Sequence, residues 1–289
     1  MPVCFFTSDP HGRPERYEKL WRAAAREKPA AIFLGGDLLP HAYARRTGPA
    51  GDGDFVQDFL AGGFRRLRGR LGRRSPRVFL VLGNDDGRLD EPVFRDLEGE
   101  GLWEYVHGRK VAFGDHPVFG YACVPPTPFR LKDWERYDVS RYVPPGALSP
   151  EEGTRTVPVA DNEIRYATIA EDLEKLAAGE GMERALFLFH GPPHETKLDR
   201  AALDGKSVDH VPLDLHVGSI AVRRFLEKRQ PLLSLHGHVH ESARITGSWR
   251  DRIGRTHLFG GCHDGPELAL VTFDLDDLDD LDAATRRLL

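Results

Sequence analysis

Seven side chains that can donate a lone pair to a metal ion follow short apolar runs of the sequence. They are Asp9, His11, Asp37, Asn84, His190, His238 and His240. A mixed set of carboxylate, imidazole and amide groups suits borderline-hard divalent ions such as manganese, iron or zinc. Because the set contains no cysteine, a structural zinc knot is disfavoured. The residue types therefore predict a site for one or more such ions.

Seven ligands exceed the needs of one ion, so the set predicts two neighbouring ions. A carboxylate that reaches both ions explains the surplus, and Asp37, which follows the second predicted strand, is the natural bridge. Two ions roughly 3.5–4 Å apart can share a hydroxide and hold both the attacking and the leaving oxygen of a displacement at phosphorus. The expected chemistry is the hydrolysis of a phosphate ester.

Each of these polar groups stands where a predicted strand ends. The apolar runs that predict strands cover residues 3–7, 31–34, 78–82, 187–189 and 232–235. Helical spacing is present over residues 14–28, 162–178 and 217–228. Strands that alternate with helices indicate an α/β domain whose ligand site lies outside the carboxyl ends of the strands. Further short strands between Trp103 and Tyr121, and between Ser242 and Phe273, indicate a second sheet layer.

Composition and length place these elements in one globular domain. The chain has 289 residues, of which 40% are hydrophobic and 29% charged, and we expect a single domain over residues 1–289. Two stretches, at about 39–70 and 125–160, interrupt the alternation, and inserts of that length usually form a lid or a binding loop. Leucines three residues apart in the acidic C-terminal stretch predict a docked helix at about 275–289.

The charge and the hydropathy of the sequence indicate which partners and which cellular location to expect. No stretch approaches the roughly 20 apolar residues that span a bilayer, and no leader pattern precedes the first strand, so we expect a cytoplasmic protein with no membrane contact. The net charge of −5 disfavours nucleic acid as a partner, and we interpret the seven arginines between Arg65 and Arg77 as a solvated helix face and loop. Three widely spaced cysteines predict reduced, buried thiols at Cys4, Cys123 and Cys262.

The motifs DPH, GGD, GND, FHG and GHVH occur in the order found in the calcineurin-like metallophosphoesterases, which the chain resembles over residues 3–241. The segment HGPPHETKLDR further resembles a bacterial branch of that family close to the class III phosphodiesterases. The resemblance implies a four-layer α/β/β/α sandwich of two mixed sheets flanked by helices. It also implies a first metal held by Asp9, His11, Asp37 and His240, and a second held by Asp37, Asn84, His190 and His238.

The residue after Asn84 departs from the family pattern. Many members have a histidine there that is thought to stabilise the transition state or protonate the leaving oxygen, whereas this chain has Asp85. Two nearby dications should lower the pKa of Asp85 and make it a poor proton donor. We therefore expect the proton to come from a metal-bound water or from His194, unless the substrate has a good leaving group. Asp86 matches the next acidic residue of the family, and a helix cap remains an alternative role for Asp85 and Asp86.

Residues 216–219 can present backbone N–H groups at a helix N-terminus, which is a generic anion site. His216, Ser219 and Asn84 are therefore candidates for holding the substrate phosphate, and an ordinary helix cap is the alternative for Ser219. By analogy with the family we expect a small-molecule phosphodiester as substrate. The alternatives are phosphomonoesterase or protein phosphatase activity, or a non-catalytic metal-binding scaffold with the same fold.

Overall fold

The computed structural model describes residues 3–41, 54–275 and 283–289. Its strands are β1 (Val3–Thr7), β2 (Ala31–Gly35), β3 (Arg77–Val81), β4 (Glu104–Tyr105), β5 (Lys110–Phe113), β6 (His116–Tyr121), β7 (Leu186–Phe189), β8 (Ser207–Val208), β9 (Val211–Pro212), β10 (Leu233–His236), β11 (Arg250–Ile253), β12 (Thr256–Gly260), β13 (Ala269–Asp274) and β14 (Thr285–Leu288). Its α-helices are α1 (Pro14–Glu27), α2 (Gly62–Leu71), α3 (Glu91–Gly99), α4 (Asp161–Tyr166), α5 (Ile169–Leu176), α6 (Ile220–Arg229) and α7 (Ser242–Thr246).

Two six-stranded mixed sheets pack face to face, with helices on their outer sides. Sheet A has the order β14-β13-β1-β2-β3-β4, and sheet B has the order β11-β12-β10-β7-β6-β5. In sheet A, β1 pairs parallel with β2 and antiparallel with β13, whereas in sheet B β10 pairs parallel with both β7 and β12. Helix α1 contacts α2, and α5 contacts α6. This arrangement confirms the predicted four-layer α/β/β/α fold class.

The central strands are buried on both faces, which explains why they are almost continuously apolar. Every residue of β2, β7 and β10 is buried, as expected for parallel strands that are covered on both sides. Aromatic rings join the two sheets: Phe79 of β3 lies 5.4 Å from Phe113 of β5, and Phe259 of β12 lies 5.7 Å from Phe273 of β13, both measured between ring centroids. This packing holds the carboxyl ends of the strands of both sheets near one another.

The C-terminal segment differs from its prediction. The expected helix at about 275–289 is wrong over the described residues 283–289, because Thr285–Leu288 form β14 at the edge of sheet A. Residues 276–282, which carry most of the leucine spacing, lie outside the described residues. The backbone of β14 pairs with β13, and Arg287 forms an ion pair with Glu27. The pairing of β14 with the open edge of sheet A therefore determines its extended conformation. The spacing of leucines along the sequence contains no information about that pairing.

The described part of the first predicted insert is helical. Residues 55–61 form a π-helical segment that continues into α2, and residues 42–53 lie outside the described residues. Trp21 of α1 packs against Phe59 and Phe64 of this region, with ring centroids 5.3 and 5.8 Å apart. The helix predicted over 162–178 is divided into α4 and α5, because Thr168 is extended and caps α5 by accepting the N–H of Glu171.

The second predicted insert, residues 125–160, is fully described and contains no regular helix or strand. Short bridges pair Val124 with Glu135 and Leu131 with Thr154. A fully buried ion pair between Lys132 and Glu135, with 2.5 Å between Nζ and Oε2, lies at its centre. Within the described ranges, no helix has the length and the apolar character that crossing a membrane requires.

Candidate metal centre

Loops that follow β1, β2 and β10 bring four of the predicted ligands into one cluster. Nε2 of His11 lies 3.0 Å from Nε2 of His240, and Nε2 of His240 lies 3.1 Å from Oδ1 of Asp9. The ligand atoms of Asp9, His11, Asp37 and His240 all lie within 4.8 Å of one another. This group has the same members as the first metal set implied by the family resemblance.

The remaining predicted ligands surround the other side of Asp37. Nε2 of His190 lies 2.9 Å from Oδ1 of Asn84 and 3.5 Å from Oδ2 of Asp37. The ring of His238 packs against the ring of His190 with 5.2 Å between centroids. The same Oδ2 of Asp37 lies 4.0 Å from Nε2 of His11. Asp37 therefore stands between the two groups of ligands, as a bridging carboxylate would.

Four of the seven residues have a left-handed backbone. The φ angles are 56° at Asp9, 49° at His11, 50° at Asp37 and 72° at His238. This conformation is uncommon outside glycine, is best tolerated by Asp, Asn and His, and costs about 1–3 kcal/mol where it is strained. Hydrogen bonds between the loops hold it in place, since the N–H of Asp9 donates to Gly36 and the N–H of His11 donates to Asp37. The loops therefore depend on one another for their shape.

Glycine precedes the ligands where the loops approach most closely. A Cβ atom at Gly83 would lie 2.3 Å from Oδ1 of Asp37, and a Cβ atom at Gly237 would lie 2.4 Å from Oδ2 of Asp9. Real Cβ atoms do not approach other atoms so closely, so any larger residue would displace the carboxylates. The glycines of the GND and GHVH motifs are thus required by contact with the ligands.

Charge is concentrated at the centre. Burial acts to raise the pKa of Asp9 and Asp37, but the hydrogen bond from His240 to Asp9 and the charge of His190 beside Asp37 outweigh it and lower both. Burial acts to lower the pKa of His190, but the Asp37 carboxylate raises it to about 10. Burial lowers the pKa of His238 to about 4. Two ionised carboxylates in a buried space therefore create a strong preference for positive charge.

The donor set fits divalent cations. Nδ1 of His190 lies 2.8 Å from the carbonyl oxygen of Gly35, which directs Nε2 towards Asp37, and such an outer partner is typical of a metal-binding histidine. Nε2 of His11 and Nε2 of His240 converge on one point beside Asp9. Two imidazole nitrogens and a carboxylate oxygen at such spacing can all bind one cation, whereas only one proton can lie between the two rings.

His41 is a site residue that sequence reasoning missed. Its Nδ1 lies 3.1 Å from Oδ2 of Asp85, and its ring stacks on His11 with 4.9 Å between centroids. Nδ1 of His11 lies 3.6 Å from the same oxygen of Asp85. The side chain of His41 is 60% exposed and lies at the edge of the centre. No motif marks it, because it belongs to the loop after Asp37 and follows no strand directly.

Asp85 and Asp86 lie in different surroundings. The N–H of Asp85 donates to Oδ1 of Asp37, and burial, followed by the charge of Asp37, raises the pKa of the Asp85 carboxyl to about 6. The lowered pKa predicted from the sequence assumes bound dications, whose charge opposes the effect of burial. Asp86 is fully buried and accepts three backbone N–H groups. Burial and the charge of Asp37 act to raise its pKa, and those three donors act in the opposite direction by stabilising the carboxylate.

The predicted residues His194 and His216 form hydrogen bonds with two aspartates. Nε2 of His194 lies 3.2 Å from Oδ2 of Asp214, and Nδ1 of His216 lies 2.8 Å from Oδ1 of the buried Asp199. The two rings are 6.0 Å apart. Asp199 also accepts the N–H groups of residues 195, 196 and 218. Within the described part of the chain, the side chains of both histidines therefore form hydrogen bonds with Asp214 and Asp199 and not with the seven ligands.

The predicted anion site at the start of α6 is occupied by a carboxylate of the protein itself. Asp138 accepts the N–H of Ile220 at 2.7 Å and of Ala221 at 3.1 Å, together with the hydroxyl of Ser219 at 2.5 Å. The oxygen of Ser219 also accepts the N–H of Val222. The geometry therefore favours the helix-cap role for Ser219 over a contact with substrate phosphate, because its hydroxyl and the adjacent amides already have partners.

A buried cluster of carboxylates and histidines between two mixed sheets defines an α/β protein suited to binding divalent cations. The chain belongs to the calcineurin-like phosphoesterase family, whose model matches residues 4–242. No curated protein matches the sequence.

Solved structures share the fold at low sequence identity. TT1561 of Thermus thermophilus is 19% identical, with a TM-score of 0.56 over 99% of this chain and 98% of its own. A second crystal structure is 16% identical, with a TM-score of 0.59 over 100% of this chain and 98% of its own. A dimetal phosphatase from Danio rerio is 16% identical, with a TM-score of 0.48 over 93% of this chain and 91% of its own. At these identities the likeness concerns the fold alone.

Proposed function

We propose that the protein is a metal-dependent phosphoester hydrolase with a dinuclear centre, and that phosphodiesters are its preferred substrates. One observation carries the proposal: Oδ2 of Asp37 lies between two histidine nitrogens, at 4.0 Å from Nε2 of His11 and 3.5 Å from Nε2 of His190. A carboxylate in that position can bind two cations at once. The resemblance of the segment HGPPHETKLDR to the bacterial class III phosphodiesterase-like branch supports the preference for diesters.

The residues have distinct roles in this proposal. Asp9, His11, Asp37 and His240 would hold one ion, and Asp37, Asn84, His190 and His238 the other. When bound, two divalent ions such as manganese, iron or zinc supply Lewis acidity and activate a water. The protein contributes the spacing: loops from both sheets hold the ligands, and the carbonyl of Gly35 orients His190. The substrate phosphate would contact the two ions and the amide of Asn84.

The charge of Asp85 supports the preference for diesters. A phosphodiester carries one negative charge at its phosphate, whereas a phosphomonoester near neutral pH carries close to two. Asp85 is a carboxyl group where many relatives have a histidine, and its oxygen lies 3.6 Å from the His11 ring at the centre. A second negative group beside the substrate repels a dianion more strongly than a monoanion. Asp85 therefore selects against monoesters.

The His41–Asp85 pair is the best placed group to protonate the leaving oxygen. Nδ1 of His41 lies 3.1 Å from Oδ2 of Asp85, and the His41 ring stacks on His11 at the centre with 4.9 Å between centroids. His194, the residue expected from the sequence, is also held by a carboxylate, that of Asp214, but the side-chain hydrogen bonds described for it do not reach the seven ligands. An imidazole held by a carboxylate is a common general acid. We assign this role to His41, with Asp85 as its positioning residue, and keep His194 as the alternative.

Hydrolysis of a chromogenic diester and monoester after removal and replacement of metal tests the proposed function. We expect turnover of bis(p-nitrophenyl) phosphate that is lost on chelation and restored by Mn²⁺. The variant His190→Ala should lower kcat/KM by more than about 100-fold, the upper end of losses typical for partners outside the ligand set. His116→Asn, at a buried histidine whose ring contacts Arg184 far from the ligands, is the matched control and should retain activity.

A comparison of two substrates separates the proposed function from its alternatives. The variant Asp85→Asn should raise kcat/KM for p-nitrophenyl phosphate relative to the diester, because it removes a negative charge. A wild-type preference for the monoester would support a phosphomonoesterase or protein phosphatase instead. If the protein binds Mn²⁺ but hydrolyses neither substrate nor a panel of cyclic nucleotides and dinucleotides, the non-catalytic scaffold is favoured.

A further inference from the structure

The carboxylate of Asp86 is enclosed by backbone amides. Its Oδ2 accepts the N–H of Leu38 at 3.0 Å and the N–H of Gly83 at 2.9 Å, and its Oδ1 accepts the N–H of Leu39 at 2.8 Å. The residue is 0% exposed. No solvent or substrate can reach a group that is buried in this way, so a direct catalytic role for Asp86 is ruled out.

The three amides belong to two different ligand loops. Leu38 and Leu39 directly follow Asp37, which has a left-handed φ of 50°. Gly83 directly precedes Asn84 on the neighbouring loop. One side chain therefore ties the loop that carries the bridging carboxylate to the loop that carries the amide ligand. The N–H of Asp85 adds a third link between these loops, after those of Leu38 and Leu39 to Asp86, since it donates to Oδ1 of Asp37 at 2.8 Å.

We infer that Asp86 is a positioning residue that sets the affinity of the centre for its cations, by holding Asp37 and Asn84 at the spacing that a shared cation requires. This inference rests on the dinuclear centre of the proposed function. The physical reason is preorganisation: a left-handed Asp37 is costly by itself, and Asp86 offsets that cost with hydrogen bonds from the two amides that follow Asp37, while its third bond, from Gly83, fixes its own loop. Without them the loop can relax, and a cation must then reorder it on binding.

Only a carboxylate suits this enclosure. Three backbone N–H groups converge on the two oxygens of Asp86. A side chain that carries its own N–H donor at this position would therefore place two donors face to face. An asparagine at position 86 could keep the amides of Leu38 and Gly83 on its oxygen, but its NH₂ group would then face the N–H of Leu39. The change from Asp to Asn preserves size and removes one acceptor. It is therefore a conservative probe of the position of the loops.

Mn²⁺ titration of Asp86→Asn by isothermal calorimetry, with metal content measured after dialysis, tests the inference. We expect the affinity for at least one ion to fall by about 10–100-fold, the loss typical of partners outside the ligand set. The matched control is Glu135→Gln. Glu135 is another buried carboxylate with three donors, from Thr127 and Lys132, none of which adjoins a ligand. The variant Glu135→Gln should have a lower melting temperature than the wild type and an unchanged affinity for Mn²⁺.

Hydrogen exchange in the wild-type protein keeps the inference testable if Asp86→Asn does not fold. Mn²⁺ should slow exchange at the amides of Leu38, Leu39 and Gly83 more than at the amide of Thr127, which Glu135 holds in the same manner. Equal slowing at these three amides and at Thr127 overturns the positioning role of Asp86 and leaves the proposed function standing. An Asp86→Asn protein with wild-type Mn²⁺ affinity does the same. A wild-type protein that binds no divalent cation overturns the proposed function and this inference together.

Discussion

At the scale of single residues, His41 should matter most where the leaving group is poor. The variant His41→Gln keeps a polar side chain but cannot deliver a proton. We expect kcat to fall by about 100-fold for a diester with an alkyl leaving group, and much less for a nitrophenyl diester, because a nitrophenolate leaves without protonation. Rates measured over a series of leaving groups check this expectation, and an equal loss for all of them would assign His41 to binding.

A second residue-scale prediction concerns His107, a half-buried ring that is neutral in the folded protein. Its Nδ1 accepts the N–H of Ala122 at 3.0 Å, and its ring packs on Trp134 with 5.0 Å between centroids. Burial lowers its pKa from 6.5 to about 3. Between those pH values the unfolded chain binds more protons at this residue than the folded protein. The free energy of unfolding therefore rises with pH from about 3 to 6.5 and gains nothing further from this group above 6.5.

The variant His107→Gln isolates that contribution. Glutamine can accept the same N–H and does not titrate. Urea unfolding over a pH series should give a shallower rise between about 3 and 6.5 for the variant than for the wild type. Two parallel curves would show that the ring is not neutral in the folded protein.

At this scale, the sequence predicts well which polar side chains converge, and it predicts poorly which groups support them. The convergence of Asp9, Asp37 and His190 follows from residue type and from placement at strand ends. The role of Asp86 and the contact between His41 and Asp85 do not follow from spacing. They depend on which backbone amides or side chains face a carboxylate after folding, and the chain pattern does not contain that information.

At the scale of elements, the insert at 125–160 is attached to two ligand-bearing loops by carboxylates. Asp133 accepts the N–H of Arg88 at 2.8 Å, shortly after the GND motif, and Asp138 accepts two amides at the start of α6. The lid function expected for this insert stays a prediction. Its attachments indicate that movement as one body would have to break the hydrogen bonds that the carboxylates of Asp133 and Asp138 accept from outside the insert.

Removal of the Asp138 carboxylate should destabilise α6 and open a true anion site. The variant Asp138→Ala leaves the N–H groups of Ile220 and Ala221 and the hydroxyl of Ser219 without their acceptor, so we expect a loss of about 1–3 kcal/mol in the free energy of unfolding. Inorganic phosphate should then raise the melting temperature of the variant more than that of the wild type, measured with chelator present. Asp115→Ala, at a side chain 87% exposed, is the control. An equal phosphate effect in all three proteins contradicts the prediction.

The elements that the sequence predicts correctly are those whose own residues determine them. The mostly buried strands β1, β2, β3, β7 and β10 contain short, largely apolar runs, and both their existence and their polar ends follow from that pattern. The division between α4 and α5 follows from the capping oxygen of Thr168, a local signal that periodicity over a longer window hides. The C-terminal strand is different, because its conformation depends on a partner.

At the scale of the whole molecule, sheet A combines strands from the start and from the end of the described chain. β1 carries Asp9 at its end and lies between β2 and β13, and β13 in turn pairs with β14. The alternation of strands and helices predicts the layers, but it does not predict the antiparallel addition of β13 and β14. That order requires contacts between residues more than 260 positions apart, such as Val3 with Asp274.

Deletion of residues 283–289 tests how far sheet A depends on its last strand. β14 pairs with β13 from Ala269 to Thr272, and the backbones of Leu268 and Leu289 exchange two hydrogen bonds of 3.1 and 2.9 Å. Since each such bond contributes about 0.5–1.5 kcal/mol, the deletion should lower the free energy of unfolding by roughly 2–5 kcal/mol. It also exposes the apolar strand β13 as a new edge, so light scattering should show association on warming.

The control for this deletion is Arg287→Ala, which keeps β14 and removes the ion pair with Glu27, a 3.4 Å hydrogen bond to Thr272 and the contact with the Phe5 ring. A partly exposed ion pair contributes about 0–1 kcal/mol, so this variant should unfold close to the wild type and remain monodisperse wherever the wild type does. If Arg287→Ala loses as much stability as the deletion, the ion pair rather than the strand pairing secures the end of the chain. If neither variant loses stability, β13 is a sufficient edge for sheet A, and β1 keeps Asp9 in place without help from β14.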